Sequence, residues 1–372
     1  MLMIAHIRRP DVRVSPALIA GTLMLTAWAG IEQTACAQAP SFANVPYAIE
    51  HPSQALDVWI PAAPAGPKPV VVWIHGGGWS AGDKSSATGG NKVTDLLNRG
   101  FVVVSINYRL SQDAIFPAQI HDCKGAIRFL RARAPQFQID SRRIGVWGSS
   151  AGGHLVALLG TSAGVEDAEG TVGGNILQSS RVNAVADFFG PADFFNVDGW
   201  HTECIPVTPE AQLLGACLGA IQDNQNNPTA PWPQKVALAH LAGPVTHASN
   251  DDPPFHIAHG TADTTVWPEH SQLLHAALVA QGVDSALRLV PGAGHGLPLS
   301  ENTAAIEFFD RVLEPLPPCP GDFNRDGTID FFDYDTFVTA FEVGLPRADF
   351  NRDTAIDFFD YDEFVVAFEQ GC

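Results

Sequence analysis

The chain has 372 residues, of which 46% are hydrophobic and 16% are charged, a composition typical of folded globular proteins rather than disordered or fibrous ones. Its net charge of −19 argues against a protein that binds nucleic acid through phosphate contacts, because such proteins are basic. Anionic membrane surfaces are disfavoured for the same reason. The length allows two or three domains.

The first 37 residues are predicted to be a signal peptide. Arginines precede an apolar stretch at 16–30, and residues 35–37, Ala-Cys-Ala, fit the small-x-small cleavage pattern. The apolar stretch has 15 residues, fewer than the ~20 that a membrane-spanning helix needs, so no transmembrane anchor is expected. The sequence therefore predicts a secreted, periplasmic or cell-surface protein. A lipid anchor on Cys36 is an alternative, although Gln33 fits a lipoprotein motif poorly.

Five cysteines remain after this cleavage, and export permits disulfides between them. Cys204 and Cys217 share a loop-rich segment, so they are one predicted pair. Cys319 and Cys372 bracket the acidic C-terminus and are the other, although the spacing allows further pairings. Cys123 lies in an apolar helical pattern and is predicted to be a buried packing residue.

Strand-like and helix-like segments alternate between residues 55 and 313. Six short runs rich in branched or aromatic residues are predicted as strands: 70–74, 101–106, 144–147, 182–188, 255–258 and 286–290. Most of them are nearly continuously apolar, as expected of strands buried on both faces. Helical patterns lie between or after them at 91–98, 117–133, 151–160, 270–281 and 302–313. This alternation predicts one α/β domain over 38–314, a mostly parallel sheet flanked by helices. The irregular segment 193–248 is predicted to be a cap-like insertion over the carboxyl ends of the strands.

Residues 148–152 read Gly-Ser-Ser-Ala-Gly and stand between a predicted strand and a predicted helix. A sharp Gly-x-Ser-x-Gly turn in this context exposes the serine hydroxyl, so Ser150 is the predicted nucleophile. Such a serine needs a histidine base, and the histidine needs a carboxylate that fixes its tautomer. Asp263 and His295 each follow a predicted strand in the required chain order, so they are the predicted acid and base.

Other titratable residues compete for these roles. His154 comes one helical turn after the serine and is interpreted as orienting the turn by hydrogen bonding. His256 and His259 lie in or beside a buried strand and are interpreted as structural. Asp187 and Asp193 are the alternative acids, since one ends a predicted strand and the other follows it.

A glycine-rich loop supplies the predicted oxyanion donors. Residues 75–79 read His-Gly-Gly-Gly-Trp and follow the strand at 70–74. Glycines let a backbone approach the substrate carbonyl closely, with its N–H groups pointing at the oxygen. The predicted donors are the backbone N–H groups of Gly77, Gly78 and Ala151.

These motifs together resemble an α/β-hydrolase esterase of the bacterial feruloyl- and acetyl-esterase-like group, which is related to hormone-sensitive lipase. The resemblance also rests on Asn-Tyr-Arg-Leu at 107–110 and Asp-Asp-Pro-Pro at 251–254, and it runs from about 50 to 313. It implies hydrolysis of short-chain or aromatic acyl esters through an acyl-serine, with no cofactor. A prolyl-oligopeptidase-type serine peptidase and a non-catalytic, hydrolase-like adhesion scaffold are the alternatives.

Residues 321–372 form an acidic repeat module, preceded by a stiff proline-rich linker at 315–320. Its two copies, 321–344 and 348–371, are identical at 18 of 24 positions. Oxygen-bearing side chains recur at the spacing of EF-hand calcium loops. The predicted calcium ligands are Asp322, Asn324, Asp326, Thr328, Asp330 and Asp333 in the first copy and Asp349, Asn351, Asp353, Ala355, Asp357 and Asp360 in the second. Thr354 replaces the loop glycine of the first copy, so the second site is expected to bind more weakly.

Each acidic loop precedes one predicted helix, and the loop-helix pair resembles a type I dockerin. The Cys-Pro-Gly start at 319–321 and the terminal Gly-Cys are similar to the GC-type variant. The resemblance implies a small all-α, calcium-binding module that docks to a cohesin-like protein partner. Next to an esterase, such a module suggests that the ester substrate is attached to a polysaccharide.

Overall fold

The computed structural model describes residues 39–63, 66–195, 197, 208–313, 320–321, 323, 329, 331–351 and 355–370. The predicted signal peptide, most of the linker and Cys204, Cys319 and Cys372 lie outside these residues. Within the described ranges, no helix is both long enough and apolar enough to cross a membrane.

Eight strands form one sheet in the described part of the chain. They are β1 (Phe42–Pro46), β2 (Ala55–Trp59), β3 (Lys68–Ile74), β4 (Val102–Ile106), β5 (Ile139–Ser149), β6 (Ala184–Phe188), β7 (Phe255–Gly260) and β8 (Ser285–Val290). Their order is β1-β2-β4-β3-β5-β6-β7-β8, and only β2 pairs antiparallel, with β1 and β4. The prediction of a mostly parallel sheet is confirmed, and β1 and β2 add an antiparallel edge that was not predicted.

Helices cover both faces of the sheet, as the alternating pattern predicts. They are α1 (Lys92–Asn98), α2 (Ala118–Ala132), α3 (Ala134–Phe137), α4 (Ala151–Thr161), α5 (Glu166–Glu169), α6 (Pro209–Leu214), α7 (Leu218–Asp223), α8 (Trp232–Ala242), α9 (Pro244–His247), α10 (Glu269–Ala280) and α11 (Leu299–Val312). A short 3-10 helix spans Lys84–Thr88. Side chains of β3 alternate between two apolar cores. Val72 joins the core that contains α2, α4 and α10, and Val71 joins the core that contains α1 and α11.

The helices α6 to α9 belong to the predicted insertion, between β6 and β7. Pro209, the first residue of α6, packs against the glycine-rich loop, because a Cβ on Gly78 would lie 3.1 Å from the Pro209 Cβ. The described part of the insertion therefore reaches the carboxyl edge of the sheet. Cys217 is disulfide-bonded, and its pairing with Cys204 stays a prediction. Cys123 is a free thiol buried in α2, as predicted, and burial raises its pKa.

The C-terminal module contains α12 (Phe331–Glu342), a 3-10 helix (Pro346–Ala348) and α13 (Phe358–Gln370). Residues at the same position of the two repeats contact each other. The rings of Phe337 and Phe364 stack 4.0 Å apart, and the hydroxyls of Tyr334 and Tyr361 lie 2.6 Å apart. The sequence repeat thus becomes a two-helix unit with its own aromatic core.

Candidate active site

Ser150 stands in a strained turn between β5 and α4. Its backbone has φ +56° and ψ −123°, a conformation that residues other than glycine rarely adopt. Its N–H donates to the Phe188 carbonyl at 2.9 Å. A Cβ on Gly148 would overlap the Gly152 carbonyl, and one on Gly152 would overlap the Ile74 carbonyl. The tight turn therefore requires both glycines of the Gly-x-Ser-x-Gly motif.

The structure brings the predicted acid and base to this serine. The Oγ of Ser150 lies 3.0 Å from Nε2 of His295, whose Nδ1 lies 2.7 Å from Oδ2 of Asp263. Oδ1 of Asp263 accepts the N–H groups of Thr265 and Val266 at 2.8 and 3.1 Å. The carboxylate is buried and fixed in direction, while 26% of the His295 side chain remains exposed. The arrangement can move a proton from a hydroxyl to an imidazole held in one tautomer.

The predicted oxyanion donors belong to the glycine-rich loop and to the first turn of α4, and both segments adjoin the nucleophile turn. A Cβ on Gly76 would lie 3.3 Å from the Ser150 Cβ, so the glycine-rich loop contacts the turn. Gly77 and Gly78 have φ of +109° and +58°. Within the described residues, the N–H groups of Gly77, Gly78 and Ala151 donate to no protein acceptor. Ala151 is the first residue of α4, where an N–H has no acceptor inside the helix.

His154 is engaged on both ring nitrogens. Its Nδ1 accepts the indole N–H of Trp79 at 3.1 Å, and its Nε2 lies 2.7 Å from the Ala242 carbonyl. Burial lowers its pKa to about 4, so the ring stays neutral at physiological pH. His154 thus connects the nucleophile helix to the glycine-rich loop and to α8, consistent with an orienting rather than a basic role.

Phe189 is a neighbour of the triad that sequence reasoning missed. Its ring lies edge-on to the His295 ring with centroids 4.8 Å apart, and its backbone has φ +46°. Its N–H donates to the Ala258 carbonyl at 2.9 Å. A phenylalanine after a buried strand carries no sequence signal that separates this contact from ordinary core packing.

Asp187, one of the alternative acids, lies below the turn rather than at the imidazole. Its Oδ1 accepts the Gly190 N–H at 2.9 Å, and its Oδ2 has no hydrogen-bond partner among the described residues. Burial raises the pKa of this carboxyl to about 7. In the described structure the carboxylate that contacts His295 is that of Asp263.

The predicted calcium ligands are only partly described. Asp322, Asn324, Asp326, Thr328, Asp330 and Asp353 lie outside the described residues. Asp333 and Asp360, the last ligand of each loop, are buried. The two oxygens of Asp360 accept the N–H groups of Asn351 and Asp357 at 3.0 and 2.8 Å. The oxygen-only donor set fits calcium by its chemistry, although the described residues alone include no group of three acidic or other metal-ligating side chains around one point.

The hydrolase domain is similar in sequence to known esterases. The chain is 30% identical over 257 residues to esterase LipC of Mycobacterium tuberculosis, covering 67% of this chain and 58% of LipC. It is 27% identical over 283 residues to esterase LipQ of the same organism, covering 73% of this chain and 61% of LipQ. The chain therefore spans about three fifths of the length of these relatives.

Two solved structures share both fold and sequence with this domain. A bifunctional GH43-CE protein of Bacteroides eggerthii matches with a TM-score of 0.65 and 38% identity, over 73% of this chain and 38% of that one. A truncated carbohydrate esterase from gut microbiota matches with a TM-score of 0.64 and 32% identity, over 74% of this chain and 96% of that one. The BD-FAE family model matches residues 56–278, more than half of the sequence. The chain belongs to the BD-FAE family, with the α/β-hydrolase fold of its esterase relatives.

Proposed function

We propose that the protein is a serine carboxylesterase that hydrolyses short-chain or aromatic acyl esters through an acyl-serine intermediate. The observation that carries the proposal is the hydrogen-bonded chain from Ser150 through His295 to Asp263. It is accompanied by three backbone N–H groups, of Gly77, Gly78 and Ala151, that donate to no acceptor among the described residues. The names of the relatives, which are esterases and carboxylic ester hydrolases, support the same reaction.

Each group has one role in the reaction. Ser150 Oγ attacks the ester carbonyl carbon while its proton passes to His295 Nε2, and Asp263 stabilises the resulting imidazolium. The N–H groups of Gly77, Gly78 and Ala151 hold the negative charge that develops on the carbonyl oxygen. The imidazolium then protonates the leaving alcohol. Water, activated by the same imidazole, releases the acid and restores the serine.

The proposed substrate is an acyl ester carried by a polysaccharide, for example an acetylated one. The support is the similarity to the truncated carbohydrate esterase from gut microbiota, at 32% identity, and to the bifunctional GH43-CE protein, at 38% identity. The export predicted from the first 37 residues would bring the enzyme to such a polymer.

We infer that the C-terminal module docks the enzyme to a cohesin-like protein partner and binds calcium. Its repeat places two adjacent phenylalanines at the start of each helix, and all four side chains are 64–69% exposed: Phe331, Phe332, Phe358 and Phe359. Exposed aromatic side chains on so small a unit are typical of a binding surface. Calcium held by the predicted oxygen ligands would offset the repulsion between the carboxylates of each loop.

The esterase proposal is tested with residues 38–372 and nitrophenyl acetate. Ser150→Ala should lower kcat by more than about 10⁴-fold, because nucleophile and base act as one unit. Ser162→Ala, at the opposite end of the same helix, is the matched control and should retain turnover. Equal turnover by Ser150→Ala and the wild type would overturn the proposal. Acetylated xylan, methyl ferulate and a proline-containing peptide amide then separate the carbohydrate ester, the aromatic ester and the peptidase alternative.

The docking proposal is tested on the same protein. Addition of calcium after chelation should raise the melting temperature of the C-terminal module and permit binding to an immobilised cohesin. If calcium changes neither the melting temperature nor binding, the module has another role.

A further inference from the structure

The acid of the triad contacts a second histidine. Nε2 of His259, on β7, lies 3.4 Å from Oδ2 of Asp263, the oxygen that also contacts His295. The same Nε2 lies 2.9 Å from the carbonyl oxygen of Val266. The His259 side chain is fully buried, so these contacts are shielded from water.

The two acceptors at Nε2 determine which nitrogen of this ring carries the proton, and a serine on α10 contacts the other nitrogen. The Oγ of Ser271 lies 2.7 Å from Nδ1 of His259, and both side chains are buried. Nε2 faces two acceptors, a carbonyl and a carboxylate, so it carries the hydrogen and Nδ1 accepts from the serine hydroxyl. Burial lowers the pKa of His259, which keeps the ring neutral. The ring therefore presents a single N–H to the loop that carries Asp263.

We propose that His259 is a positioning residue for Asp263, and that Ser271 holds the His259 ring in the orientation that makes this possible. The inference rests on the proposed esterase function and adds two residues to the chain of polar contacts that ends at the nucleophile. The successive contacts run from Ser271 through His259, Asp263 and His295 to Ser150.

The loop after β7 explains why one N–H has this effect. Oδ1 of Asp263 already accepts two backbone N–H groups of residues 265 and 266. His259 holds the Val266 carbonyl of the same short loop and also lies beside Oδ2. With both ends of the loop held, Oδ2 stays directed at His295. Without the His259 N–H, the carboxylate can rotate about its side-chain bonds, and the imidazole loses its fixed orientation.

His256 provides a matched control on the same strand. It is also buried, and burial lowers its pKa to about 4. Its side chain packs on the opposite face of the sheet, where its ring lies 5.7 Å from that of Phe308. It contacts no residue of the triad within the described structure. A substitution of His256 therefore measures the effect of removing a buried histidine from β7 without changing the contacts of Asp263.

The first experiment compares steady-state kinetics of four variants of the full chain. His259→Leu should lower kcat between about 10- and 100-fold with little change in KM, since a small misplacement of a catalytic group has effects of this size. His259→Gln, which retains a donor N–H, should recover part of the loss. Ser271→Ala should also lower kcat, because Nδ1 then loses its hydrogen-bond partner and the ring is no longer held in one orientation. His256→Gln should match the wild type.

The second experiment does not depend on turnover. Proton NMR of the full chain should show the His295 Nδ1–H that donates to Asp263 as a far-downfield signal. The signal should shift or disappear in His259→Leu and Ser271→Ala and persist in His256→Gln. Unchanged kcat together with an unchanged signal in both variants would overturn the inference. If the wild type hydrolyses no ester, the esterase proposal fails while this signal still decides the role of His259.

Discussion

A buried carboxyl below the nucleophile gives the protein a stability that depends on pH. Asp187 accepts one N–H, from Gly190, and its second oxygen has no partner among the described residues. A Cβ on Gly153 would overlap Oδ1 of Asp187, so the carboxyl is enclosed by the first turn of α4. The substitution Asp187→Asn keeps the size and the accepting oxygen of the side chain but cannot ionise.

The size of the effect follows from the two pKa values. Burial raises the pKa of Asp187 from 3.8, the ordinary value, to about 7 in the folded protein. Between these values the unfolded chain releases the proton and the folded chain keeps it, so increasing pH favours unfolding. At about 1.4 kcal/mol per pH unit, this group lowers the free energy of unfolding by roughly 4 kcal/mol between pH 4 and pH 7. The stability is fully present below pH 3.8 and is lost as the pH rises to about 7.

Urea unfolding at pH 4.5 and pH 8, followed by tryptophan fluorescence, tests this reasoning. All eight tryptophans precede residue 268, so the signal reports no unfolding of the C-terminal module. Asp187→Asn should be close to the wild type at pH 4.5 and more stable by a few kcal/mol at pH 8, on the order of the shift above. Asp167→Asn, an exposed carboxyl in the same domain, is the control. A stability difference between Asp187→Asn and the wild type that is the same at both pH values would refute the reasoning.

Three further substitutions test separate parts of the structure. Trp79→Phe removes the donor to buried His154 and should lower the free energy of unfolding by about 1–3 kcal/mol in urea; no change would mean that another donor reaches Nδ1. Gly152→Ala should abolish ester turnover, because the added methyl would overlap the Ile74 carbonyl, and wild-type kinetics would contradict the tight turn. Phe337→Ala removes a stacked core ring and should destabilise the C-terminal module by about 3–5 kcal/mol, seen by circular dichroism, with nitrophenyl acetate turnover unchanged.

The parts of the fold that the sequence predicts are those with local signals. The strands β3 to β7 are apolar enough to be recognised one at a time, because helices cover both faces of each. The edge strand β8 was also recognised, but its residues are only half-buried or exposed, so the expectation of burial on both faces is wrong for this strand. The turn around Ser150 can be predicted from Gly148 and Gly152, because the close backbone contacts of the turn leave no room for a side chain at either position. This signal lies within five consecutive residues. β1 was not predicted because it is short and half exposed, with no regular alternation of buried and exposed residues.

The candidate triad could also be predicted from the sequence, because the carboxyl ends of parallel strands meet at one edge of the sheet. Asp263 and His295 could be chosen from their places after β7 and β8 without knowledge of any distance. The contacts of His259 could not be chosen in this way. A histidine in a buried strand looks structural, and its link to Asp263 depends on the path of the loop that returns to Val266.

Backbone strain shows a second limit of sequence reasoning. Six residues other than glycine have positive φ in the described structure, and three of them surround the candidate site: Trp79, Ser150 and Phe189. Such a conformation costs about 1–3 kcal/mol per residue and persists only where neighbouring contacts enforce it. A glycine in the sequence indicates a position where positive φ is possible. A tryptophan or a phenylalanine gives no such indication. The side chains at these three positions each make a contact that glycine could not, to His154 or to His295, so the strain is retained where the side chain is needed.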